Sequence, residues 1–282
     1  MKHQEGCFRG RDKFRIYWQC WLPQKVSAVV LIAHGLGEHG GRYRHVAEVL
    51  VEAGCAVYAI DHRGHGKSEG ARAYIDKFAH AVDDMDALID LVIAERHGGK
   101  RKPPLFLLGH SMGGALSLSY ALKHGDRLSG LLLSGPAVAL DGAPPLMRPT
   151  AKLLSRLAPR LGMFAIDPGR VSRDPAMVAA YAEDPLNAHG KVPVRTLGEI
   201  VEFVEWLPAA LPMIKLPLLV MHGSADQLAG VSGSRMVVDR VGSKDKSLKV
   251  YDGLYHEIFN ELADDRQRVF KDLCGWITER VH

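Results

Sequence analysis

With 282 residues and 47% hydrophobic content, the chain can bury a full core, and its length suits one large domain with an insertion. A net charge of +4 is slight, and no basic groove interleaved with aromatic residues is visible, which argues against a nucleic-acid partner. Met1 is followed by Lys2-His3-Gln4-Glu5 rather than an apolar signal region, and no run reaches bilayer-spanning length, so a cytoplasmic protein, at most peripherally attached to a membrane, is expected.

The elements follow in order. Phe14 to Trp21 alternates like an early antiparallel strand, and Ala28 to Ala33 is a continuous apolar strand leading into His34-Gly35-Leu36-Gly37-Glu38-His39. Val46 to Ala53 reads as a short helix and Cys55 to Ile60 as the next strand. Asp76 to Glu95 carries Phe78, Val82, Met85, Leu88, Ile89 and Val92 at helical spacing. Pro104 to Leu108 is a buried strand, Gly114 to Leu122 a helix, and Leu131 to Leu133 a further strand. Beyond about residue 215, Leu216 to Met221 and Leu248 to Tyr251 are strands, and Glu261 to Arg280 closes the chain as an amphipathic helix. Strands alternating with helices predict an α/β class fold, a mostly parallel sheet with helices on both faces. Cys7, Cys20, Cys55 and Cys274 lack metal-ligand spacing, and two fall inside expected strands, so free thiols, a reducing compartment and no metal are expected.

The segment 137–215 breaks this pattern. It holds most of the chain's 15 prolines, short apolar bursts and no clear strand, which predicts an inserted cap of short helices over a core formed by 1–136 and 216–282. Leu146, Met147, Leu153, Leu154, Leu157 and Leu161 fall on one helical face there. Arg148, Lys152, Arg156 and Arg160 repeat on the other side, with Pro159 ending or kinking the helix. Two readings stand: a helix that lies on an anionic lipid surface, or one whose leucines pack down and whose charges are solvated.

The chemistry is written at the ends of strands. Gly109-His110-Ser111-Met112-Gly113 sits between a strand and a helix, where a Gly-x-Ser-x-Gly turn lifts a serine hydroxyl above the sheet. A hydroxyl needs a base, and the base needs a carboxylate to hold its tautomer. Asp226 and His256 follow the two later strands, in the order Ser, Asp, His that an α/β-hydrolase triad takes. Asp252 is a less well placed rival. An oxyanion hole would come from the backbone N–H of Met112 and, from the glycine-rich first loop, of Leu36. Each position has an ordinary alternative: a tight turn at Ser111, a turn aspartate at 226, a loop histidine at 256, and a plain glycine-rich turn at Leu36.

The first loop, Asp61-His62-Arg63-Gly64-His65-Gly66-Lys67-Ser68, the Ser111 turn and Tyr255-His256-Glu257 together resemble the monoacylglycerol lipases, especially the bacterial ones. Ser172-Arg173-Asp174-Pro175 and Tyr181-Ala182-Glu183-Asp184-Pro185-Leu186 extend the resemblance into the cap and so over nearly the whole chain. It implies hydrolysis of monoacylglycerol to glycerol and a fatty acid through an acyl-enzyme, without a cofactor. Ser111 would be the nucleophile, His256 the base, Asp226 its orienter, and Leu36 and Met112 the oxyanion donors. Glu38, Arg42, His110 and Tyr181 would hold the glycerol hydroxyls, with local loop or cap packing as the alternative for each. Gln227-Leu228-Ala229-Gly230 departs from the family, which more often has a basic residue after the aspartate. The same machinery would also serve a lysophospholipase or broad carboxylesterase, and less readily an acyltransferase or a lipid-binding protein that has no catalytic activity.

Overall fold

A computed structural model describes residues 1–94, 102–140 and 147–281. Eight strands form one sheet: β1 (Lys2–Arg9), β2 (Arg15–Leu22), β3 (Ala28–Ala33), β4 (Cys55–Ile60), β5 (Leu105–His110), β6 (Gly130–Ser134), β7 (Leu218–Gly223) and β8 (Lys246–Tyr251). Their order is β1-β2-β4-β3-β5-β6-β7-β8. The pairs β1/β2 and β2/β4 are antiparallel and all later pairs parallel.

The central strands read as unbroken apolar runs because both of their faces are covered. In β4, Ala56, Tyr58 and Ile60 enter one core together with Phe78, Val82 and Met85 of the helix Phe78–Leu88 and the helix Met112–His124. Cys55, Val57 and Ala59 enter the opposite core with Val46 and Leu50 of the helix Arg44–Glu52 and Leu273 of the helix Ala263–Thr278.

Several expectations shift. The edge strand β1 was not legible, because Lys2–Arg9 is polar and only its alternate residues are partly covered. Charged side chains on an edge strand discourage further pairing. The expected helix over 76–95 is α-helical at Phe78–Leu88 and continues as a π-helical turn, Ile89–Ala94; Glu95 lies outside the described residues.

Within 137–215 lie the helices Met147–Leu157, Pro175–Glu183 and Val194–Ala210. The last has 17 residues, so the expectation of short helices alone is corrected. Pro208 sits in its final turn, two residues before the end of the helix. Leu146 lies outside the described residues. Ala151 and Ser155 are the buried face of the first of these helices, and a Cβ on Gly198 of the long helix would strike Ser155. Leu153 and Leu157 stay 59% and 72% exposed, so these two do not pack down, whereas Leu154 is half-buried. Arg160 and Leu161 lie beyond the helix.

Candidate active site

Ser111 stands between β5 and the helix Met112–His124 with φ 53° and ψ −120°, a conformation costing a non-glycine residue about 1–3 kcal/mol. The surroundings hold it there. Its N–H donates to the Ser134 carbonyl at 3.0 Å, and its own carbonyl accepts from Gly114 at 2.9 Å and Ala137 at 3.0 Å. A Cβ on Gly113 would strike the Ala33 carbonyl, and one on Gly109 would strike Ser117 and Gly113. The two glycines therefore let the helix close directly onto the strands beneath it.

Asp226 and His256 come from the loops after β7 and β8, which touch: the Ser224 and Ala225 amides donate to Tyr251 and Leu254 at 2.8 and 3.0 Å. His256 Nδ1 lies 2.6 Å from Asp226 Oδ2, so Nδ1 carries the proton and Nε2 is left free to accept one. Oδ1 accepts from the amides of Leu228 and Ala229 at 2.7 and 2.9 Å. Burial works against the Asp226 charge, but His256 and the hydrogen bonds outweigh it and hold the carboxyl far below its usual range. Burial likewise opposes the charged form of His256, yet the Asp226 carboxylate prevails and raises its pKa. The rival Asp252 is exposed and instead accepts from Ser224 Oγ at 3.1 Å.

The first loop lies against the serine: a Cβ on Gly35 would come 3.2 Å from Ser111 Cβ. Among the described residues, neither the Leu36 nor the Met112 amide donates to another group of the chain, so both remain available to a developing oxyanion. Sequence reasoning missed what aims the Leu36 amide. His34 Nε2 accepts from the His62 amide at 2.9 Å, so Nδ1 bears the proton and donates to the Gly35 carbonyl at 2.7 Å. That carbonyl and the Leu36 N–H belong to one planar peptide, so fixing one fixes the other.

Ser111, His256, Leu36 and Met112 line one cavity of about 260 Å³. Most of its wall is apolar, including Met163, Ile166 and Val201, but Glu38, His110, Tyr181 and Glu257 form a polar patch. Such a chamber suits a molecule with an acyl chain and a small polar head.

The comparisons with known proteins agree. The family model described as serine aminopeptidase, S33, matches residues 24–263. A monoacylglycerol lipase of Mycolicibacterium smegmatis is 42% identical over 98% of this chain and 98% of its own. The chain belongs to the monoacylglycerol lipase family. Among solved structures, the monoacylglycerol lipase of Paleococcus ferrophilus superposes with a TM-score of 0.83 at 30% identity, covering 99% of this chain and all of that one. A soluble variant of the Saccharomyces cerevisiae monoglyceride lipase, in complex with a substrate analog, gives 0.86 at 26% identity, covering 98% and 94%.

In this monoacylglycerol lipase family member the four residues expected at the glycerol hydroxyls are placed differently from one another. Glu38, His110 and Tyr181 line the cavity, and the Tyr181 hydroxyl is buried without a partner among the described residues. Burial and then the neighbouring His256 push the His110 imidazole down to about 4. Arg42 stands behind them. It reaches Glu38 Oε2 at 2.6 Å, grips both oxygens of Glu257 at 2.7 Å each, and covers the Tyr181 ring at 4.7 Å. Burial opposes the Glu257 charge, but Arg42 holds the carboxyl down at about 2. Glu257 was quoted in the sequence only as part of a motif; its contact with Arg42, 215 residues away, has no local signal.

The motifs of the segment 137–215 also find a role as pins. The Glu257 amide donates to the Val171 carbonyl at 2.8 Å, and Arg173 Nε to Glu261 at 2.8 Å. His39 Nε2 lies 2.8 Å from Asp184, and the Ala188 amide donates to Gly37 at 2.8 Å. The segment is thus tied to the loops bearing His256 and Leu36. The unusual Gln227-Leu228-Ala229-Gly230 leaves the aspartate's support intact, since backbone amides supply it. Among the described residues, Asp12, Asp76 and His80 approach closely enough to hold a cation; none lines the cavity, and Asp76 already binds Arg63 and His80.

Proposed function

We propose that the chain hydrolyses monoacylglycerol to glycerol and a free fatty acid, with Ser111, His256 and Asp226 as its triad and Leu36 and Met112 as its oxyanion donors. The observation that carries this reading is the His256–Asp226 pair at 2.6 Å, sharing one largely apolar cavity with Ser111 and a polar patch. Nε2 of His256 takes the Ser111 proton as Oγ attacks the ester carbonyl, and the two amides hold the oxyanion. The imidazolium then protonates the departing glycerol oxygen, and water, activated the same way, releases the fatty acid.

The Tyr181 hydroxyl, His110 and Glu38 supply donors and acceptors for the two free glycerol hydroxyls, while Arg42 fixes Glu38 and Glu257. A di- or triacylglycerol has fewer hydroxyls or none, leaves the buried Tyr181 hydroxyl unpaired, and brings more bulk. Released fatty acid should therefore be at least about tenfold faster from a monoacylglycerol than from the matching triacylglycerol or lysophospholipid, the worth of one or two lost hydrogen bonds. Equal rates on all three would reduce the substrate assignment to a broad carboxylesterase, and a lysophospholipid preference would replace it.

Residues 137–215 form the cap in this reading, and its exposed apolar residues touch lipid. Leu153, Leu157, Leu161 and Phe164 are all exposed. The basic face is partly spent, Lys152 on Glu205 and Arg156 on Glu202, so apolar insertion rather than charge carries the docking. Leu153→Ser with Leu157→Ser should weaken binding to phosphatidylglycerol vesicles while leaving hydrolysis of a soluble short-chain ester unchanged. Unaltered vesicle binding would dismiss the docking role. Among the described residues no helix is long and apolar enough to cross a membrane. Cys7, Cys20, Cys55 and Cys274 are free thiols, which suits the cytoplasmic setting proposed here.

A further inference from the structure

We propose that His222 is a positioning residue of the catalytic line, one that holds the Asp226 carboxylate and through it sets the basicity of His256. The proposal rests on the triad reading above. His222 occupies the penultimate position of β7, four residues before Asp226, and is fully buried. Its Nε2 lies 2.9 Å from the Ala229 carbonyl and 3.0 Å from Asp226 Oδ2. Neither oxygen carries a proton to give, so Nε2 must be the protonated nitrogen; it donates to the Ala229 carbonyl, with Asp226 Oδ2 as a second, less well aligned acceptor of the same N–H. Its Nδ1 lies 2.6 Å from Ser234 Oγ, a buried hydroxyl on the helix Val231–Arg240, which can donate. The ring is thereby fixed as the neutral Nε2–H tautomer. The line of donors runs Ser234 to His222 to Asp226, with His256 donating from the other side.

The arrangement hems in Asp226. Its Oδ1 takes the amides of Leu228 and Ala229, and its Oδ2 takes His256 and lies 3.0 Å from the His222 Nε2, so four N–H groups surround its two oxygens. Two consequences follow for the base. The carboxylate cannot rotate away from His256 without losing bonds to three other groups. Its negative charge is also shared between two rings, which limits how strongly His256 is driven toward the imidazolium. The titratable groups facing His256 are Asp226, Glu257, Glu38 and His110, and those facing Asp226 are His222 and His256.

Removing the His222 donor should therefore leave Oδ2 held by His256 alone. The carboxylate gains freedom to tilt, which lowers kcat, and the undiluted charge moves the acid limb of kcat/KM to higher pH. His222→Leu tests this in the full-length chain, with His222→Gln beside it, because a glutamine amide Nε2 sits the same number of bonds from the backbone as the imidazole Nε2. On a soluble short-chain ester, His222→Leu is expected to lose about 10- to 100-fold in kcat, the worth of one hydrogen bond to a charged group, with KM changed less than about threefold. His222→Gln is expected to recover most of that loss and to restore the acid limb.

Should His222→Leu fail to fold, Ser234→Ala carries the test, since it keeps the ring and removes only the donor that fixes its tautomer. A smaller loss of kcat with the same upward displacement of the acid limb is then expected. Unchanged kcat and an unmoved acid limb in the folded variant would overturn the proposal, as would equal losses in His222→Leu and His222→Gln. Fluorophosphonate labelling of the unaltered enzyme separates this from the reading beneath it. No labelling at Ser111 would remove both, whereas rapid labelling undiminished in His222→Leu would remove only the role of His222.

Discussion

Ser111→Ala is expected to lower kcat on monoacylglycerol by about 10⁴-fold or more, because triad members act as a unit and the oxyanion donors alone sustain only a small residue of catalysis. The loss should be chemical rather than structural. Alanine takes the same φ 53° turn at a similar cost, and among the described residues the hydrogen bonds of Ser111 run through its backbone atoms. The purified variant should therefore match the parent in thermal unfolding, bind a fatty acid in the cavity, and fail to react with a fluorophosphonate. Turnover within tenfold of the parent would end the case for Ser111 as nucleophile.

The proposed catalytic line was legible as a candidate because each member sits just beyond a strand whose apolar run is unmistakable, and a parallel sheet brings such ends together. The proposed oxyanion loop was legible for a related reason: two glycines after β3 announce a close backbone approach. What holds these parts was not. His222 reads as one more β7 residue, and its role depends on a helix serine twelve positions later. His34 reads as a loop histidine until its ring is seen to fix one peptide plane. Arg42 and Glu257 are 215 residues apart, so nothing local marks them as partners. β1 escaped notice because an edge strand needs backbone pairing rather than an apolar face, and the leucines of 146–161 left two readings open because periodicity identifies an amphipathic helix without saying which face meets the protein.

Asp226→Asn isolates what the carboxylate contributes, and the hydrogen-bond pattern sets the outcome. N–H groups face both of its oxygens, Leu228 and Ala229 on one and His256 and His222 on the other, so an asparagine must turn its NH₂ toward one pair of them. With the amide oxygen kept on Leu228 and Ala229, the NH₂ faces His256 and His222. His256 Nδ1 must then accept, which moves its proton to Nε2, and a protonated Nε2 cannot receive the Ser111 proton. A loss in kcat of about 10³- to 10⁴-fold is expected, with KM little changed. The pH profile gives an independent check. In the parent, His256 acts as the neutral base and its pKa is raised above the usual ~6.5, so kcat/KM should fall as pH drops through a midpoint above that value. Replacing the carboxylate removes the opposing charge and leaves burial, which disfavours the imidazolium, in control. The midpoint of the residual activity should then move to lower pH, opposite to the direction expected for His222→Leu. Loss of the Asp226 charge and loss of one donor to it are thus distinguishable by sign alone, and an acid limb that stays in place in Asp226→Asn would mean that the 2.6 Å contact does not govern the base.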